Sequence, residues 1–342
     1  MIYRSKAPLR IGLAGGGTDV SPYSDLYGGA ILNITLSLYA HANIEPTDDG
    51  KITVCALDRN ESETYDWQLE LPINGHLDLL KGVYNRIQKD YGISVNGLRL
   101  STYVDAPAGS GLGTSSTLVV AIIGAFAEML KLPLGEYDIA HYAYDIERND
   151  LHLSGGKQDQ YAATFGGCNF MEFYADDKVI VNPLRIREEY VNELENNLVL
   201  YYTSTSRESA KIIEEQQKNV RSNNEKSIEA MHNLKKQAVM LKEALLKGDL
   251  NSFGKILDFG FQQKKQMAAN ISNSFMDDIY ETAIKAGATG GKISGAGGGG
   301  FMTFYCPNNT RYQVVEKLLA LGGVVRDFQL TQKGLITWRN KG

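Results

Sequence analysis

The sequence predicts an α+β fold organised as two domains. The chain has 342 residues, which is more than one compact core usually holds, and 43% of them are apolar. Apolar patterns typical of strands and of helices occur in both halves. We therefore predict an N-terminal domain over residues 1–190 and a C-terminal domain over residues 191–342, joined near residues 185–197.

The first half mixes strands with helices. Apolar runs and alternating patterns predict strands at residues 9–14, 30–46, 51–57 and 97–105. Helices are predicted at residues 76–92, 117–131 and 135–149. Neither "SGGKQD" (residues 154–159) nor "FGGC" (residues 165–168) fits the interior of a helix, because glycine disfavours it.

The second half begins with a predicted strand at residues 197–203. A long amphipathic helix follows, because apolar residues recur at three- and four-residue steps at Ile228, Met231, Leu234, Ala238, Leu241 and Leu245. A further helix is predicted at about residues 310–321 and a strand at residues 324–330. These elements complete the α+β pattern of the second domain.

Composition and charge exclude several classes of protein. The formal net charge of −5 argues against a nucleic-acid partner, which usually needs a basic surface. The longest apolar run, residues 118–130, is too short for a membrane span, and the N-terminus does not resemble a signal peptide. The three cysteines, Cys55, Cys168 and Cys306, lie far apart, which favours a reducing compartment. We therefore expect a cytoplasmic protein with no membrane partner.

Glycine is concentrated in three segments, "LAGGGTD" (residues 13–19), "PAGSGLGTSS" (107–116) and "KISGAGGGG" (292–300). In the middle segment a predicted strand leads into the glycines, and a predicted helix leaves from the hydroxyl residues. A helix start carries unpaired N–H groups and partial positive charge, and glycine lets the backbone approach an anion. This combination predicts a phosphate-binding site.

Two better-known phosphate motifs do not fit. The Walker A loop requires a lysine before its Ser or Thr, and the middle segment has none. Gly295, Gly297 and Gly300 match the spacing of the dinucleotide fingerprint, but a strand-like sequence follows them instead of a helix. Neither family of nucleotide-binding loops is therefore indicated.

The three segments resemble, in order, the three motifs of the GHMP small-molecule kinases, over residues 6–300. Within that family, "AGGGTDVSPY" and "GGKQDQYAATFGG" are most similar to the heptose-phosphate kinases. Fucose kinases carry a related first motif, so another sugar 1-kinase remains the alternative, and a non-catalytic sugar sensor is a third possibility. Galactokinases usually have a Glu-His pair where Gly16 and Gly17 stand here.

The resemblance implies a fold, an activity and partners. The N-terminal domain is expected to resemble domain 2 of ribosomal protein S5, and the C-terminal domain a ferredoxin, with the site in the cleft between them. The expected reaction transfers the γ-phosphate of ATP, with Mg²⁺, to a hydroxyl of a small sugar phosphate. Monomer and homodimer both remain open.

The resemblance also implies roles for individual residues. Asp159 aligns with the catalytic base and Arg10 with a basic residue that keeps it ionised. The expected ATP-binding residues are Pro107, Gly109, Ser110, Gly111, Leu112, Gly113, Thr114, Ser115 and Ser116. Ser115 and Glu147 align with the magnesium ligands, although Asp145 and Asp150 compete with Glu147.

The remaining expectations concern the sugar. The resemblance assigns substrate binding to Gly16, Gly17, Thr18, Asp19, Gly297 and Gly298. Asp19 has a structural alternative as the N-cap of the helix that follows it. The substrate's own phosphate needs a cation, and position alone leaves three candidates open, Lys6, Lys157 and Arg207.

Overall fold

The computed structural model of the protein describes residues 1–204 and 209–341, so Arg207 lies outside the described residues. The strands are β1 (Ile2–Ala14), β2 (Gly29–Pro46), β3 (Lys51–Ala56), β4 (Glu61–Asp66), β5 (Leu98–Val104), β6 (Cys168–Phe173), β7 (Val179–Pro183), β8 (Leu198–Tyr202), β9 (Gly290–Ile293), β10 (Phe301–Tyr305), β11 (Val324–Val325) and β12 (Ile336–Asn340). The helices are α1 (Tyr23–Tyr27), α2 (Asp78–Tyr91), α3 (Thr114–Leu130), α4 (Glu136–Asp145), α5 (Gln158–Phe165), α6 (Glu188–Asn197), α7 (Ser209–Arg221), α8 (Glu225–Lys247), α9 (Phe253–Lys264), α10 (Ser274–Lys285) and α11 (Arg311–Leu319). Among these described residues, no helix combines the length and the apolar character that crossing a membrane requires.

The strands form two sheets. The first has the order β12-β1-β2-β5-β3-β4, with β6 pairing to β2 and β7 to β6, and only the β3–β5 pair is parallel among the described strands. The second sheet is antiparallel with the order β11-β8-β10-β9. Because β12 pairs with β1, the end of the chain lies in the first sheet, although the sequence assigns residues 191–342 to the second domain.

One hydrophobic core joins the two halves. Leu9 and Ile11 of β1 pack in the same cluster as Leu200 of β8 and Leu241 and Leu245 of α8. All five side chains are fully buried. The amphipathic helix expected from the sequence is thus present as α8, and its apolar stripe packs between the sheets. This shared core fixes the positions of the three glycine-rich segments relative to one another.

Helix α3 lies against the first sheet and starts at the cleft. It begins at Thr114, three residues earlier than the sequence predicts, because the hydroxyl residues form its first turn instead of preceding it. Its N-cap is Gly113, in the left-handed conformation (φ 78°), and within the described part of the chain no side-chain hydrogen bond caps this end of the helix.

Other elements also differ from the sequence prediction. The helix predicted at residues 135–149 leaves the α conformation after Asp145 and continues as a wider π turn, Ile146–Asp150. Such turns are often found at functional sites, and this one carries Glu147. Helix α5 was not predicted, because its eight residues are too few for a clear periodicity. The strand predicted at residues 324–330 is limited to Val324–Val325.

Candidate active site

A cleft of about 300 Å³ lies where the three glycine-rich segments meet. Both halves of the chain contribute to its walls, which include Arg10, Gly17, Asp19, Gly109, Gly111, Gly113, Thr114, Ser115, Ser116, Glu147, Asp159, Lys264, Gly295 and Ala296. Several residues expected at the site do not line this cleft in the described structure, namely Gly16, Thr18, Pro107, Ser110, Leu112, Gly297 and Gly298. Their contacts explain why.

The second and third glycine-rich segments pack directly against each other. A Cβ added to Gly111 would lie 2.6 Å from the carbonyl oxygen of Ser294, and the φ of Gly111 is +85°. The N–H of Phe301 donates to the carbonyl oxygen of Ser110 at 2.9 Å. Ser110 is buried where these two segments meet. The side chain of Leu112 belongs to the hydrophobic core that the two halves share. These glycines serve a backbone contact within the protein, which sequence alone cannot separate from an approach to a ligand.

Gly297 and Gly298 are held by a different neighbour. The N–H of Gly298 donates to the carbonyl oxygen of Ile271 at 2.9 Å, and a Cβ on Gly297 would lie 2.9 Å from that same oxygen. Their expected place in substrate binding is not supported, because they face Ile271 instead of the cleft. Gly295 and Ala296, earlier in the same segment, line the cleft.

The first turn of α3 retains the features of an anion site. Gly109, Gly111 and Gly113 line the cleft just before the helix, together with Thr114 and Ser115. With no side-chain cap, the first N–H groups of this 17-residue helix are available to an anion, and the helix dipole favours negative charge there. Pro107 is exposed and begins the turn by accepting from the N–H of Ser110 at 3.2 Å.

A second cavity of about 380 Å³ adjoins the start of α3 on its other side. It shares Thr114, Ser115 and Leu153 with the cleft. Apolar side chains from separate parts of the first domain line it, including Ile73, Leu77, Leu79, Leu80, Val104 and Leu118. No sequence motif marks this pocket, because its lining is assembled from residues far apart in the chain. An apolar pocket beside an anion site suits a planar ring attached to phosphates.

Arg10 and Asp159 form an ion pair in the cleft, as the sequence expectation requires. Nε of Arg10 donates to Oδ1 of Asp159 at 2.7 Å, and Nη2 lies 2.6 Å from the same oxygen. Nη1 of Arg10 donates to the carbonyl oxygen of Gly111 at 2.6 Å. Oδ2 of Asp159 lies on the side of Gly113, where an added Cβ would be 3.2 Å away. One carboxylate oxygen is therefore bound by Arg10, and the other faces the start of α3.

Asp19 holds the N-terminus of the helix that carries Asp159. Its Oδ2 accepts from the backbone N–H groups of Lys157 and Gln158, at 2.9 and 3.0 Å. Burial raises the pKa of the Asp19 carboxyl above its usual value. The alternative role of Asp19 as the N-cap of α1 is not borne out, because its carboxylate binds the start of α5 instead. Thr18 next to it is occupied, since its hydroxyl donates to the carbonyl oxygens of Gly15 and Ala30.

Gly156 leaves the space that Asp19 needs. A Cβ added there would lie 1.9 Å from Oδ2 of Asp19, so Gly156→Ala forces the carboxylate away from the N-terminus of α5. We expect this variant to lose about 1–3 kcal/mol of stability and to lower turnover, measured by calorimetry and a phosphoryl-transfer assay. Gly135→Ala is the control, because its Cβ would make an ordinary contact at 3.4 Å with Asp138. Equal losses in the two variants would contradict this role of Gly156.

Glu147 lies buried in the wall of the cleft. Its Oε1 accepts from the hydroxyl of Ser116 at 2.9 Å, and its Oε2 accepts from the side-chain amide of Gln160. Burial raises the pKa of its carboxyl, and the guanidinium of Arg148, 3.9 Å from Oε1, offsets this only partly. Ser115, the other residue expected to bind magnesium, is exposed at the cleft.

The two competing carboxylates are directed elsewhere. Asp150 pairs with Arg86 at 2.8 Å, and Asp145 accepts from the amide of Asn149 at 3.1 Å. Of the three acidic residues in "YDIERND", Glu147 alone lines the cleft in the described structure. Of the residues expected to hold magnesium, Glu147 therefore offers a buried carboxylate and Ser115 an exposed hydroxyl at the cleft.

Cations from the second half of the chain were missed by the sequence analysis. Lys264 is 4% exposed and lines the cleft, where its amine donates to the carbonyl oxygen of Gly295. Lys292, 6% exposed, donates to the carbonyl oxygen of Gly12. Burial and the nearby charge of Arg10 lower the pKa of Lys264 to about 8, and burial lowers the pKa of Lys292 well below its usual value.

The cations proposed from position alone do not line the cleft in the described structure. The amine of Lys157 lies 2.7 Å from a carboxylate oxygen of Asp177, and that of Lys6 lies 4.5 Å from the ring centre of Tyr39. Both positive charges are thus directed elsewhere. A lysine inside an amphipathic helix, such as Lys264, has no sequence feature that separates it from a solvated residue.

Comparison with known proteins identifies the family. Residues 78–167 match the GHMP kinases N terminal domain, and residues 241–323 match GHMP kinases C terminal. The chain is 49% identical over 336 residues to the D-glycero-alpha-D-manno-heptose 7-phosphate kinase of Campylobacter jejuni, covering 98% of both chains. It is 26% identical to the L-fucokinase/L-fucose-1-P guanylyltransferase of Bacteroides fragilis over 92% of this chain and 35% of that protein.

Solved structures agree with this assignment. The crystal structure of a D-glycero-D-manno-heptose 1-phosphate kinase from Bacteroides thetaiotaomicron matches with a TM-score of 0.84 and 46% identity, over 99% of this chain and all of that one. A Lactococcus lactis galactokinase, at 18% identity, shares the fold with a TM-score of 0.77 over 98% of this chain and 95% of that one. The fold and family expected from the three motifs are confirmed. The chain therefore belongs to the GHMP kinase family.

Proposed function

We propose that the protein is an ATP-dependent sugar kinase that phosphorylates the anomeric hydroxyl of D-glycero-α-D-manno-heptose 7-phosphate. The product is the 1,7-bisphosphate, a precursor of nucleotide-activated heptose. The observation that carries the proposal is the 49% identity to a heptose 7-phosphate kinase over nearly the whole length of both chains. The ion pair of Arg10 and Asp159 in the cleft supports it, because phosphoryl transfer to a hydroxyl needs a proton acceptor beside a cation.

The reaction exchanges one P–O bond for another and moves one proton. The sugar oxygen bonds to the γ-phosphorus of ATP, the bond between that phosphorus and the bridging oxygen breaks, and ADP leaves with the electron pair. The hydroxyl proton passes to the carboxylate of Asp159, whose Oδ2 is free of Arg10. Arg10 pairs with the carboxylate and offsets negative charge as the phosphoryl group moves.

The two adjoining cavities suggest how the nucleotide binds. Its phosphates would lie at the uncapped start of α3, and its adenine ring would enter the apolar pocket of about 380 Å³. Thr114 and Ser115, which line both cavities, mark the passage between them. The sugar would then occupy the part of the cleft beside Gly17, Asp19 and Asp159.

Glu147 and Ser115 fit a role in holding Mg²⁺. Magnesium prefers oxygen ligands and is usually bound by one or two protein groups together with phosphates and waters. No group of three or more His, Cys, Asp or Glu side chains suited to a metal occurs among the residues that the structure describes, which agrees with this sparse mode of binding. When bound, the ion would neutralise charge on the nucleotide phosphates.

A panel of acceptors tests the proposed substrate. Heptose 7-phosphate, heptose 1-phosphate, free heptose, L-fucose and galactose would each be incubated with ATP and Mg²⁺, and release of ADP would be measured. We expect heptose 7-phosphate to give the highest kcat/KM, and ³¹P NMR to find the new phosphate on the anomeric carbon. Faster turnover of fucose would favour the alternative sugar 1-kinase. Acceptor binding without ADP release would favour a non-catalytic sensor.

A further inference from the structure

We propose that Lys264 is a catalytic cation that the second half of the chain contributes to the γ-phosphoryl group during transfer. The inference rests on the proposed function, because it assigns a role in that reaction. It follows from three features of the described structure. These are the hydrogen bonds that the cations of the cleft make, the position of the Lys264 amine, and the charges around that amine.

Each of the other cations in the cleft, Arg10 and Arg148, is held between two groups of the protein. Arg10 bonds to Asp159 and to the carbonyl oxygen of Gly111. Arg148 bonds to the carbonyl oxygens of Leu153 and Gly156, at 3.2 and 3.1 Å. The ammonium of Lys264 has three N–H donors, and its hydrogen bond within the described residues is the one to Gly295. It therefore has donors left for a ligand.

The Lys264 amine lies where the phosphate loop meets the base. Its acceptor, Gly295, packs on Gly111, since a Cβ added to Gly295 would lie 2.8 Å from the Cα of Gly111. Arg10, which binds Asp159, donates to the carbonyl oxygen of that same Gly111. Lys264, Arg10 and Asp159 thus surround one short piece of backbone at the end of the anion site. A phosphoryl group that moves from that site towards Asp159 must pass beside them.

The charges around Lys264 favour an added anion. Arg10 of β1 and Lys292 of β9 contribute positive charge. Negative charge comes from Asp19, which follows β1, and from Asp159 of α5. Asp159 is already paired with Arg10, and Asp19 is bound by backbone N–H groups. Burial and the charge of Arg10 therefore lower the pKa of Lys264 to about 8 despite the two carboxylates. A phosphoryl group would supply the missing negative charge.

A structural role is the competing explanation. Lys264 is the last residue of α9, and its hydrogen bond to Gly295 connects that helix to the third glycine-rich segment. A lysine retained only for this contact would change stability when replaced, but would not distinguish nucleotides with and without a γ-phosphate. The two explanations therefore differ in nucleotide binding and in the pH dependence of the reaction.

The test compares Lys264→Met and Lys264→Arg with the control Lys265→Met. Lys265 is the adjacent residue, and its amine pairs with Asp277 at 3.5 Å, away from the cleft. We expect Lys264→Met to lower kcat about 10²–10³-fold, with the KM for sugar phosphate within about threefold of the wild type. It should weaken binding of the non-hydrolysable ATP analogue AMPPNP at least about tenfold more than binding of ADP. Lys265→Met should change none of these values.

The pH profile supplies a second readout. In the wild type, kcat/KM should fall above a pH of about 8, as Lys264 loses its proton in the free enzyme. Lys264→Arg should restore part of the turnover and remove this decline, because a guanidinium stays protonated. A decline that is unchanged in Lys264→Arg would overturn the assignment.

Two further results would also overturn it. A Lys264→Met enzyme with normal kcat and a KM for sugar phosphate raised about 30-fold or more would place the lysine on the acceptor's own phosphate. If Lys264→Met weakened AMPPNP and ADP binding equally, the role of Lys264 would be structural. If the wild-type enzyme transfers no phosphate to any acceptor, the proposed function fails, whereas the nucleotide-binding comparison still decides the role of Lys264.

Discussion

Replacing Asp159 by Asn is expected to lower kcat about 10³-fold while nucleotide still binds. The change keeps the shape of the side chain but removes the oxygen that accepts the sugar proton. The amide oxygen can still accept from Arg10, so the position of the guanidinium is retained. Arg10, the partner of Asp159, is only 3% exposed, so the loss of the carboxylate charge should also lower stability.

The measurement combines single-turnover kinetics with binding of AMPPNP by calorimetry. Asp145→Asn is the matched control, because Asp145 belongs to the neighbouring helix α4 and accepts from Asn149 without lining the cleft. We expect the control to retain turnover within about threefold, in line with the small effects of most surface substitutions. If Asp159→Asn kept turnover within tenfold of the wild type, Asp159 would not be the base.

The pairing of Arg10 with Asp159 could be predicted because each residue belongs to a short motif of the family. The two residues are far apart in sequence, yet the motifs alone assign them complementary roles. The position of Asp19 could also be predicted, but its contact with the start of α5 could not. That contact joins a side chain to the backbone N–H groups of Lys157 and Gln158, and backbone groups carry no sequence signal.

Residues from the second half of the chain were the hardest to predict. Lys264 belongs to α9, where a lysine is ordinarily a solvated residue, and only the packing of the two halves buries it. The glycines of the third segment pointed correctly to a close approach. The partner of Gly295 is nevertheless the backbone of Gly111, and that of Gly297 is Ile271. Sequence shows that space is needed beside a glycine, but not what occupies it.

The buried ionisable groups of the site share one property. Burial raises the pKa values of Asp19 and Glu147 and lowers those of Lys264 and Lys292, so each is shifted towards its neutral form. Charged forms are therefore unfavourable in the ligand-free site. Phosphates and a divalent cation would supply the missing opposite charges. The site thus lowers the stability of the ligand-free protein and favours ligand binding. Such an exchange of stability for activity is common in enzymes.

The raised pKa of Glu147 determines whether its contribution to stability rises or falls with pH. The folded-state pKa of Glu147 is raised above the usual 4.5, so the unfolded state releases this proton at lower pH than the folded state does. The contribution of Glu147 to stability is therefore most favourable below about pH 4.5, and it is lost as the pH rises through the folded-state pKa. At pH 8, well above the usual value, Glu147 therefore makes the ligand-free protein less stable than a neutral side chain of the same shape would.

Glu147→Gln is accordingly expected to raise the free energy of unfolding at pH 8 and to lower kcat about 10²-fold with Mg²⁺-ATP. The amide oxygen can accept from Ser116, and Gln160 can turn its own amide, whose oxygen lacks a partner, to accept from the new NH₂ group. The stability gain should disappear as the pH approaches 4.5, measured by urea unfolding at several pH values. Glu128→Gln is the control of opposite sign, because Lys131 lowers the pKa of Glu128. A Glu147→Gln protein that is less stable at pH 8 and keeps its dependence on Mg²⁺ would assign Glu147 a purely structural role.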